Sequence, residues 1–314
     1  MIDAARMHLA LNFEQNYVTP FYVFLTSVFE NNAGSSFTFH VITSGLPAAD
    51  EAGLKSYVQA KGSELVFYSP QNFAADFTNH GFSRATFYRL LFASLLPPEV
   101  TKFLYIDVDV VVIGKLRELY DTDTQGLPLA AVPEPSMQFR PDLGHKEGDL
   151  YFNAGVLLID RVRWNQQQIS ERAIAFLQAN HQRIPYADQD ALNATLVGNW
   201  RPLSPRFNVM SIYVPHRIRK QAIADFLRDK VVIHYTHTAK PWHAHCSNRL
   251  RFLYYKYLRL SPVPGTGRPI DFEWKPRLLV DMLKIKGWEW YDSYPLVPLR
   301  VVNRLRGLRK PGSH

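Results

Sequence analysis

Two aspartates, Asp107 and Asp109, are the residues of this sequence whose type and spacing most directly suggest chemistry. They lie at the end of residues 102–109 (KFLYIDVD), whose apolar part has the composition of a buried strand. In extended chain the side chains of residues i and i+2 point to one side, so both carboxylates can face one ion. A bare D-x-D is common on protein surfaces, but carboxylates delivered by a core strand need a cation or hydrogen-bond donors. The pair therefore predicts a Mg²⁺ or Mn²⁺ site.

A histidine at the end of another apolar run could complete this site. His234 follows three apolar residues, and an imidazole with two carboxylates leaves coordination positions for diphosphate oxygens. By itself it could equally be a hydrogen-bonded core histidine. Lys240 could neutralise a phosphate or be a solvated surface lysine. His237, His243 and His245 crowd the same loop, but they lack the regular ligand spacing of a zinc site.

A third set of polar residues has the functional groups that recognise sugar hydroxyls. Asp188 and Gln189 stand at a predicted helix start, where an aspartate could also simply cap the helix. Asn153 precedes two small residues and Arg89 follows a tyrosine, each at the end of a predicted element. Asp188 and Gln189 are therefore candidate ligands of a hexose, whereas Asn153 and Arg89 could equally be structural.

The elements that must position these residues alternate between strands and helices, which predicts α/β architecture with a largely parallel sheet. Strands are predicted at residues 7–11, 37–43, 64–68, 102–107, 110–113, 128–132, 153–160 and 231–235. Helices are predicted at residues 20–31, 48–60, 84–95, 116–120, 170–180, 188–196 and 247–260. Residues 133–150 lack periodicity and are expected to form a loop over the substrate. The sequence has no G-x-G-x-x-G or P-loop motif, which disfavours an NAD enzyme or a P-loop NTPase.

Composition and charge divide the chain of 314 residues into two parts. Residues 240–314 carry 15 Lys and Arg against 5 Asp and Glu, although the whole chain has a net charge of only +8. We predict a catalytic domain at residues 1–245 and a basic, aromatic segment at 246–314. The single cysteine, Cys246, excludes a disulfide framework, and no stretch has the length of a signal peptide or a membrane span. The protein is therefore expected in the cytoplasm.

The basic segment is predicted to bind an anionic membrane surface. Its aromatic and basic residues interleave at Trp274, Lys275, Arg277, Lys284, Lys286, Trp288, Trp290, Tyr291 and Tyr294. Apolar residues at 301, 302, 305 and 308 then mark one face of a helix among five basic residues. A solvated tail, or an apolar face packed on the protein's own core, remains an alternative.

Six ordered motifs together resemble glycosyltransferase family eight, which includes glycogenin and bacterial lipopolysaccharide galactosyl- and glucosyltransferases. They are Asn16-Tyr17, residues 87–90 (FYRL), 103–109 (FLYIDVD), 151–159 (YFNAGVLLI), 188–193 (DQDALN), and His234-Tyr235 through Lys240-Pro241-Trp242. The resemblance covers about residues 7–245. It implies a GT-A fold, a UDP-hexose donor, Mn²⁺ held by Asp107, Asp109 and His234, and retention of the anomeric configuration.

The resemblance also assigns roles to individual residues. The donor site would comprise Asn12, Glu14, Asn16, Tyr17, Arg89, Asp107, Val108, Asp109, Asn153, Ala154, Asp188, Gln189, His237 and Lys240. Within it, the uridine would be surrounded by Asn12, Glu14, Asn16 and Tyr17. Lys240 would contact the diphosphate, and the transferred sugar would be held by Arg89, Asn153, Asp188 and Gln189. Two positions depart from the family pattern. Glu14 stands in place of an aspartate, and His237 in place of a glycine whose amide could approach phosphate closely.

The catalytic set implied by the resemblance is Gln189, Asp188, Asn153 and Arg89. An amide is a poor nucleophile, so we expect front-face attack by the acceptor hydroxyl, with Asp190 as the alternative nucleophile. The resulting prediction is a UDP-hexose-dependent transferase acting on lipopolysaccharide core or a related glycan at the inner membrane, without nucleic acid as a partner. A metal-dependent sugar nucleotidyltransferase and a noncatalytic module binding glycan or nucleic acid are the alternatives.

Overall fold

The computed structural model describes residues 6–69, 84–137, 139–180, 182–215, 218, 220–236, 240–263 and 269–293. The strands within them are β1 (Met7–Asn12), β2 (Phe37–Ile42), β3 (Glu64–Tyr68), β4 (Lys102–Ile106), β5 (Val110–Val112), β6 (Leu129–Pro133), β7 (Phe152–Asp160), β8 (Arg201–Pro202), β9 (Val209–Met210) and β10 (Val232–His234). The helices are α1 (Val18–Asn31), α2 (Ala48–Ala60), α3 (Phe92–Leu95), α4 (Arg117–Tyr120), α5 (Arg161–Gln166), α6 (Ile169–Asn180), α7 (Ala187–Thr195), α8 (Lys220–Leu227), α9 (Arg251–Leu260) and α10 (Pro276–Ser293).

The main sheet has the strand order β3-β2-β1-β4-β7-β6-β8, and a smaller sheet has the order β5-β10-β9. Strands β3, β2, β1 and β4 are parallel neighbours, as are β6 and β8, whereas β7 runs antiparallel to both β4 and β6. The predicted α/β class with a largely parallel sheet is confirmed.

Helices cover both faces of the main sheet because its buried strands alternate their side chains between two cores. Leu9 and Leu104 belong to a core with α1 and α2, whereas Ala10 and Tyr105 belong to another with α5, α6 and α7. A third core joins the smaller sheet to α9 through residues such as Tyr254. Since α9 follows residue 245, part of the basic segment contributes to this core, and the position of the domain boundary stays a prediction.

The strand directions bring several polar residues to one edge. β1 ends at Asn12, and β4 ends one residue before Asp107. Because β7 is antiparallel to β4, its first residues, Phe152 and Asn153, lie at the same edge. In the smaller sheet, His234 ends β10 opposite the first residue of β5, which follows Asp109.

Some elements differ from the prediction. Residues 84–95 form a 3₁₀ helix (Arg84–Leu91) followed by α3, and its three-residue turn places Phe87 and Leu90 together in the core. The prediction missed β8, β9, α5, α8 and α10. The two missed strands have two residues each, too short to leave a period-two pattern. Among the described residues, no helix combines the length and apolarity that a membrane span requires.

Candidate active site

Asp107, Asp109 and His234 meet at the ends of β4 and β10. Their potential ligand atoms all lie within 4.8 Å of one another. His234 Nε2 is 3.3 Å from Asp109 Oδ1 and 3.8 Å from Asp107 Oδ2. Two carboxylates and an imidazole at this separation could hold one divalent cation. The three side chains predicted as metal ligands are therefore brought together.

Backbone pairing sets the spacing of these ligands. The Tyr235 N–H donates to Asp109 O at 3.0 Å, and the Asp107 N–H donates to Gly155 O at 2.8 Å. Each ligand is thus bound through its own or a neighbouring peptide group to an adjacent strand. The ligand positions follow from the sheet and do not require a flexible loop.

Gly155 leaves the space that His234 occupies. A Cβ atom at this position would lie 2.2 Å from His234 Cε1 and 2.8 Å from Asp107 Oδ2. Such contacts are far inside van der Waals separation, so any side chain here would displace the imidazole. The absence of a side chain at Gly155, the last residue of the motif Asn153-Ala154-Gly155, is therefore a steric requirement of the candidate metal site.

Lys240 lies beside the same carboxylates. Its Nζ donates to Asp109 Oδ2 at 2.5 Å and to Tyr235 O at 2.8 Å. Burial alone would raise the pKa of Asp109, but Lys240 and His234 hold it well below its ordinary value. Burial alone would lower the pKa of Lys240, yet Asp109 raises it. Both groups are therefore charged at neutral pH.

Arg89 connects the carboxylates of two elements. Its Nη2 is 3.2 Å from Asp107 Oδ1, its Nε forms an ion pair with Asp188, and its Nη1 donates to Ala154 O at 2.5 Å. Burial alone would lower the pKa of Arg89, but Asp107 and Asp188 raise it above its ordinary value. Burial raises the pKa of Asp188 to about 6, because the desolvation of its carboxylate outweighs the opposing effect of Arg89.

A cavity of about 240 Å³ opens beside these groups. It is lined by Arg89, Asp107, Asn153, Gly155, Tyr186, Ala187, Asp188 and Gln189. Pockets for drug-sized ligands begin at about 300 Å³, so this volume suits one small polar unit such as a sugar ring. The four residues predicted to hold a hexose all line it.

Gln189 and Asp190 differ in access to this cavity. Gln189 Oε1 accepts from the Ala154 N–H at 2.9 Å, and its Nε2 donates to the Tyr151 hydroxyl at 3.1 Å. Asp190 is fully buried, and its carboxylate accepts from the Tyr151 hydroxyl at 2.6 Å, from Arg140 Nη1 at 2.8 Å and from the Tyr186 N–H at 3.0 Å. Asp190 thus joins the loop before β7 to helix α7.

The residues predicted around the uridine lie near the end of β1. Asn12 Oδ1 accepts from the Tyr105 hydroxyl at 2.8 Å, and Glu14 accepts from the Ser44 hydroxyl. Asn16 is exposed in a short 3₁₀ turn, and the ring of Tyr17 lies edge-on to Trp242 at 5.5 Å. Val108 and Ala154, also assigned to the donor site, are buried. His237 lies outside the described residues.

Sequence reasoning missed four side chains that support this site: Tyr105, Arg140, Tyr151 and Asn208. The Tyr105 hydroxyl is 2.7 Å from Asp107 Oδ1, and the same i, i+2 rule that united the aspartates could have identified it. Asn208 Oδ1 is 3.0 Å from His234 Nδ1. No pattern around residue 208 signals that contact, which only the tertiary fold creates.

Residues 8–246 match the family model described as "Glycosyl transferase family 8". The lipopolysaccharide 1,3-galactosyltransferase of Salmonella typhimurium is 26% identical over 252 residues, which are 77% of this chain and 74% of that protein. The lipopolysaccharide 1,2-glucosyltransferase of Escherichia coli K12 is 26% identical over 251 residues, which are 76% and 73% of the two chains.

A solved structure shares the fold. The galactosyltransferase LgtC, crystallised with donor and acceptor sugar analogues, superposes with a TM-score of 0.69 at 25% identity, covering 83% of this chain and 98% of that one.

Proposed function

The chain belongs to glycosyltransferase family 8, and on that premise we propose that it is a retaining transferase that moves galactose or glucose from a UDP-sugar to a glycan acceptor. The family match and the fold bear out the predicted family and the GT-A class. The observation that carries the finer proposal is that Asp107 belongs to the candidate metal cluster and also lines the cavity together with the four sugar-holding candidates.

We assign Asp107, Asp109 and His234 to the binding of Mn²⁺, with Mg²⁺ as the alternative. The fit rests on charge as well as on ligand type. Three carboxylates, those of Asp107, Asp109 and Asp188, form ion pairs with two cationic side chains of the described residues, Arg89 and Lys240, so a bound cation would balance the remaining negative charge. A bound divalent ion would neutralise the diphosphate of the departing UDP. Lys240, beside the same carboxylates, would donate to a diphosphate oxygen.

The sugar would occupy the adjacent cavity. Arg89 is held in place by Asp107, Asp188 and Ala154 O, so its orientation is set before substrate arrives. Preorganisation of this kind stabilises charge without reorganisation during the reaction. Asp188 and Asn153 would accept from and donate to the hydroxyl groups that determine the sugar's position.

In the transfer step, the bond between the anomeric carbon and the β-phosphate oxygen breaks as the acceptor hydroxyl attacks from the same face. The hydroxyl proton passes to the departing phosphate oxygen. Gln189 would stabilise the cationic sugar through its carbonyl oxygen. A covalent intermediate on Asp190 is disfavoured because that carboxylate is fully buried and already accepts three hydrogen bonds.

We propose a lipopolysaccharide core or a related surface glycan as the acceptor, since that is the substrate class named in the two relatives above. Such an acceptor is lipid-linked, and the basic segment would hold the enzyme at the cytoplasmic face of the inner membrane. In α10 and the residues before it, Trp274 and Leu283 are 73% and 70% exposed. Lys275 and Lys284 pair with Glu273 and Asp281 in this stretch, so the net positive charge that would attract an anionic interface comes from the basic run at residues 300–310.

The direct test is a screen of UDP-hexoses for hydrolysis by the purified protein with Mn²⁺, which requires no knowledge of the acceptor. Asp109→Asn should lower turnover at least about 100-fold, because the candidate site loses a charged ligand. The matched control is Asp121→Asn, an exposed aspartate paired with Arg117 on α4, which should leave turnover unchanged. NMR of the first-formed free hexose, recorded before it mutarotates, should show a retained anomeric configuration.

Full turnover in excess EDTA or in Asp109→Asn would contradict the metal assignment. Turnover of nucleoside triphosphates with sugar phosphates, but not of UDP-hexoses, would instead favour the nucleotidyltransferase alternative.

A further inference from the structure

A backbone amide of β7 determines which atoms donate and which accept along a buried row of hydrogen-bonded side chains. The Gly155 N–H donates to the side chain of Asn153 at 3.0 Å. A peptide N–H can only donate, so the Asn153 atom facing it must be the carbonyl oxygen Oδ1. This fixes which way the Asn153 amide is turned, without reference to any ligand.

The same reasoning assigns the donor and acceptor atoms of the next two residues, Asn208 and His234. Asn208 lies 2.9 Å from Asn153 Oδ1, and since that atom accepts, the Asn208 atom must be the donor Nδ2. The other end of the Asn208 amide is then the acceptor Oδ1, which faces His234 Nδ1 at 3.0 Å. His234 must therefore donate from Nδ1, which leaves a lone pair on Nε2. Nε2 is the atom that faces Asp107 and Asp109.

We propose that Asn208 is a positioning residue for two functional side chains at once: it sets the tautomer of His234, and it holds Asn153 in the orientation that the Gly155 N–H requires. Toward His234 it accepts, which presents the imidazole Nε2 as a metal ligand. Toward Asn153 it donates, which occupies the carbonyl oxygen and leaves the amide NH₂ as the group that Asn153 offers to the cavity. This proposal rests on the proposed metal and sugar sites and adds a residue to them.

The burial of these three side chains stabilises this arrangement of donors and acceptors. Asn153, Asn208 and His234 are all buried, with Asn208 only 1% exposed. Water therefore cannot easily replace a lost partner, and reversing one amide would place two acceptors or two donors together. Removal of a residue that orients a metal-binding histidine in this way typically lowers the metal affinity about 10- to 100-fold.

The first experiment measures Mn²⁺ binding by electron paramagnetic resonance of the free ion, in the presence of UDP and without sugar. Asn208→Ala should weaken Mn²⁺ binding at least about 10-fold, because His234 loses the acceptor that orients it. Asn32→Ala is the matched control. Asn32 is also buried, and it bonds to backbone groups of Val28, Gly114 and Leu116. It should lose stability but keep the Mn²⁺ affinity of the parent.

A second variant separates the two roles of Asn208. In Asn208→Asp the introduced carboxylate can still accept from His234 Nδ1, so Mn²⁺ affinity should stay within about threefold of the parent. It cannot donate to Asn153 Oδ1, so either two acceptors face each other or the Asn153 amide turns against the Gly155 N–H; both disturb the group that Asn153 presents to the cavity. The KM for UDP-hexose hydrolysis should therefore rise about 10-fold or more while UDP binding is kept, as expected when a sugar contact is left unpaired.

Two results would overturn the proposal. One is parental Mn²⁺ affinity in a folded Asn208→Ala protein; the other is equal loss of Mn²⁺ binding in Asn208→Asp and Asn208→Ala. Failure of the proposed function has a different signature, because the parent protein itself would then bind no Mn²⁺ with UDP, or Asp109→Asn would bind it as tightly as the parent.

Discussion

At the scale of single residues, the candidate site depends on close approach as much as on functional groups. Gly155 permits the imidazole of His234 to lie against β7, and its backbone also contacts Asp107 and Asn153. One residue without a side chain therefore serves three polar neighbours. Position 155 therefore tolerates substitution less than the exposed polar positions around it, since no side chain fits there.

Gly155→Ala should displace His234 and weaken Mn²⁺ binding at least about 10-fold, because the added methyl group occupies the place of an imidazole carbon. Spin-resonance titration with Mn²⁺ checks this, with circular dichroism to confirm folding. Gly287→Ala on α10 is the control, because a Cβ there meets nothing within 4 Å. Unchanged Mn²⁺ affinity in folded Gly155→Ala would show that the site tolerates the displacement.

At the scale of elements, strands β1, β2 and β3 carry a row of polar side chains, buried at His40 and half-buried at His8 and Tyr68, that the proposed transfer mechanism does not use. His8 Nδ1 lies 3.0 Å from His40 Nε2, and His40 Nδ1 lies 2.8 Å from the Tyr68 hydroxyl. Burial lowers the pKa of His40 to about 3 and raises the pKa of Tyr68 to about 12. The row is therefore neutral in the folded protein at physiological pH.

This row predicts acid sensitivity of the fold. Because the folded pKa of His40 is far below its unfolded value near 6.5, the unfolded chain binds the proton more readily in between. Each pH unit below about 6.5 should thus cost up to about 1.4 kcal/mol of unfolding free energy, until His40 also protonates in the folded state near pH 3.

Urea unfolding between pH 4.5 and 6.5 measures this slope. His40→Gln, which cannot titrate, should flatten the slope by close to one proton per molecule, whatever its effect on absolute stability. Identical slopes in the two proteins would assign the acid sensitivity to other groups.

At the scale of the whole molecule, net positive charge and exposed apolar side chains are concentrated in the C-terminal quarter. Residues 240–314 hold the excess of basic residues, and the described part of α10 has Val280, Leu283 and Trp290 at its surface. The basic, apolar run at residues 300–310 continues the same composition beyond the described residues. A lipid-linked acceptor would make such a surface useful, because it would bring the cavity to the membrane.

A chain truncated after Pro298 should keep the UDP-hexose hydrolysis of the full chain but sediment less with vesicles containing anionic lipid. The physical reason is that each basic group near such a surface contributes about 1 kcal/mol, and five are removed. High salt should release the full chain in the same assay. Equal sedimentation of the two forms with anionic vesicles would rule out this segment as the membrane anchor.

Local patterns in the sequence determined the class of fold and the identity of the candidate ligands. Alternating strands and helices predicted the sheet, and the i, i+2 spacing of Asp107 and Asp109 after a core strand predicted a shared site. Such features depend on neighbours along the chain, which a sequence displays directly.

The contacts that orient these ligands were decided only by tertiary structure. Asn208 and His234 are 26 residues apart, and Arg140 and Asp190 are 50 apart, with no periodic signal linking either pair. Their hydrogen bonds arise because the fold packs strands, loops and helices that are distant in sequence against one another and buries their polar atoms together. A buried polar atom must find a partner wherever the packing places one, so which residue serves as that partner is a property of the folded chain.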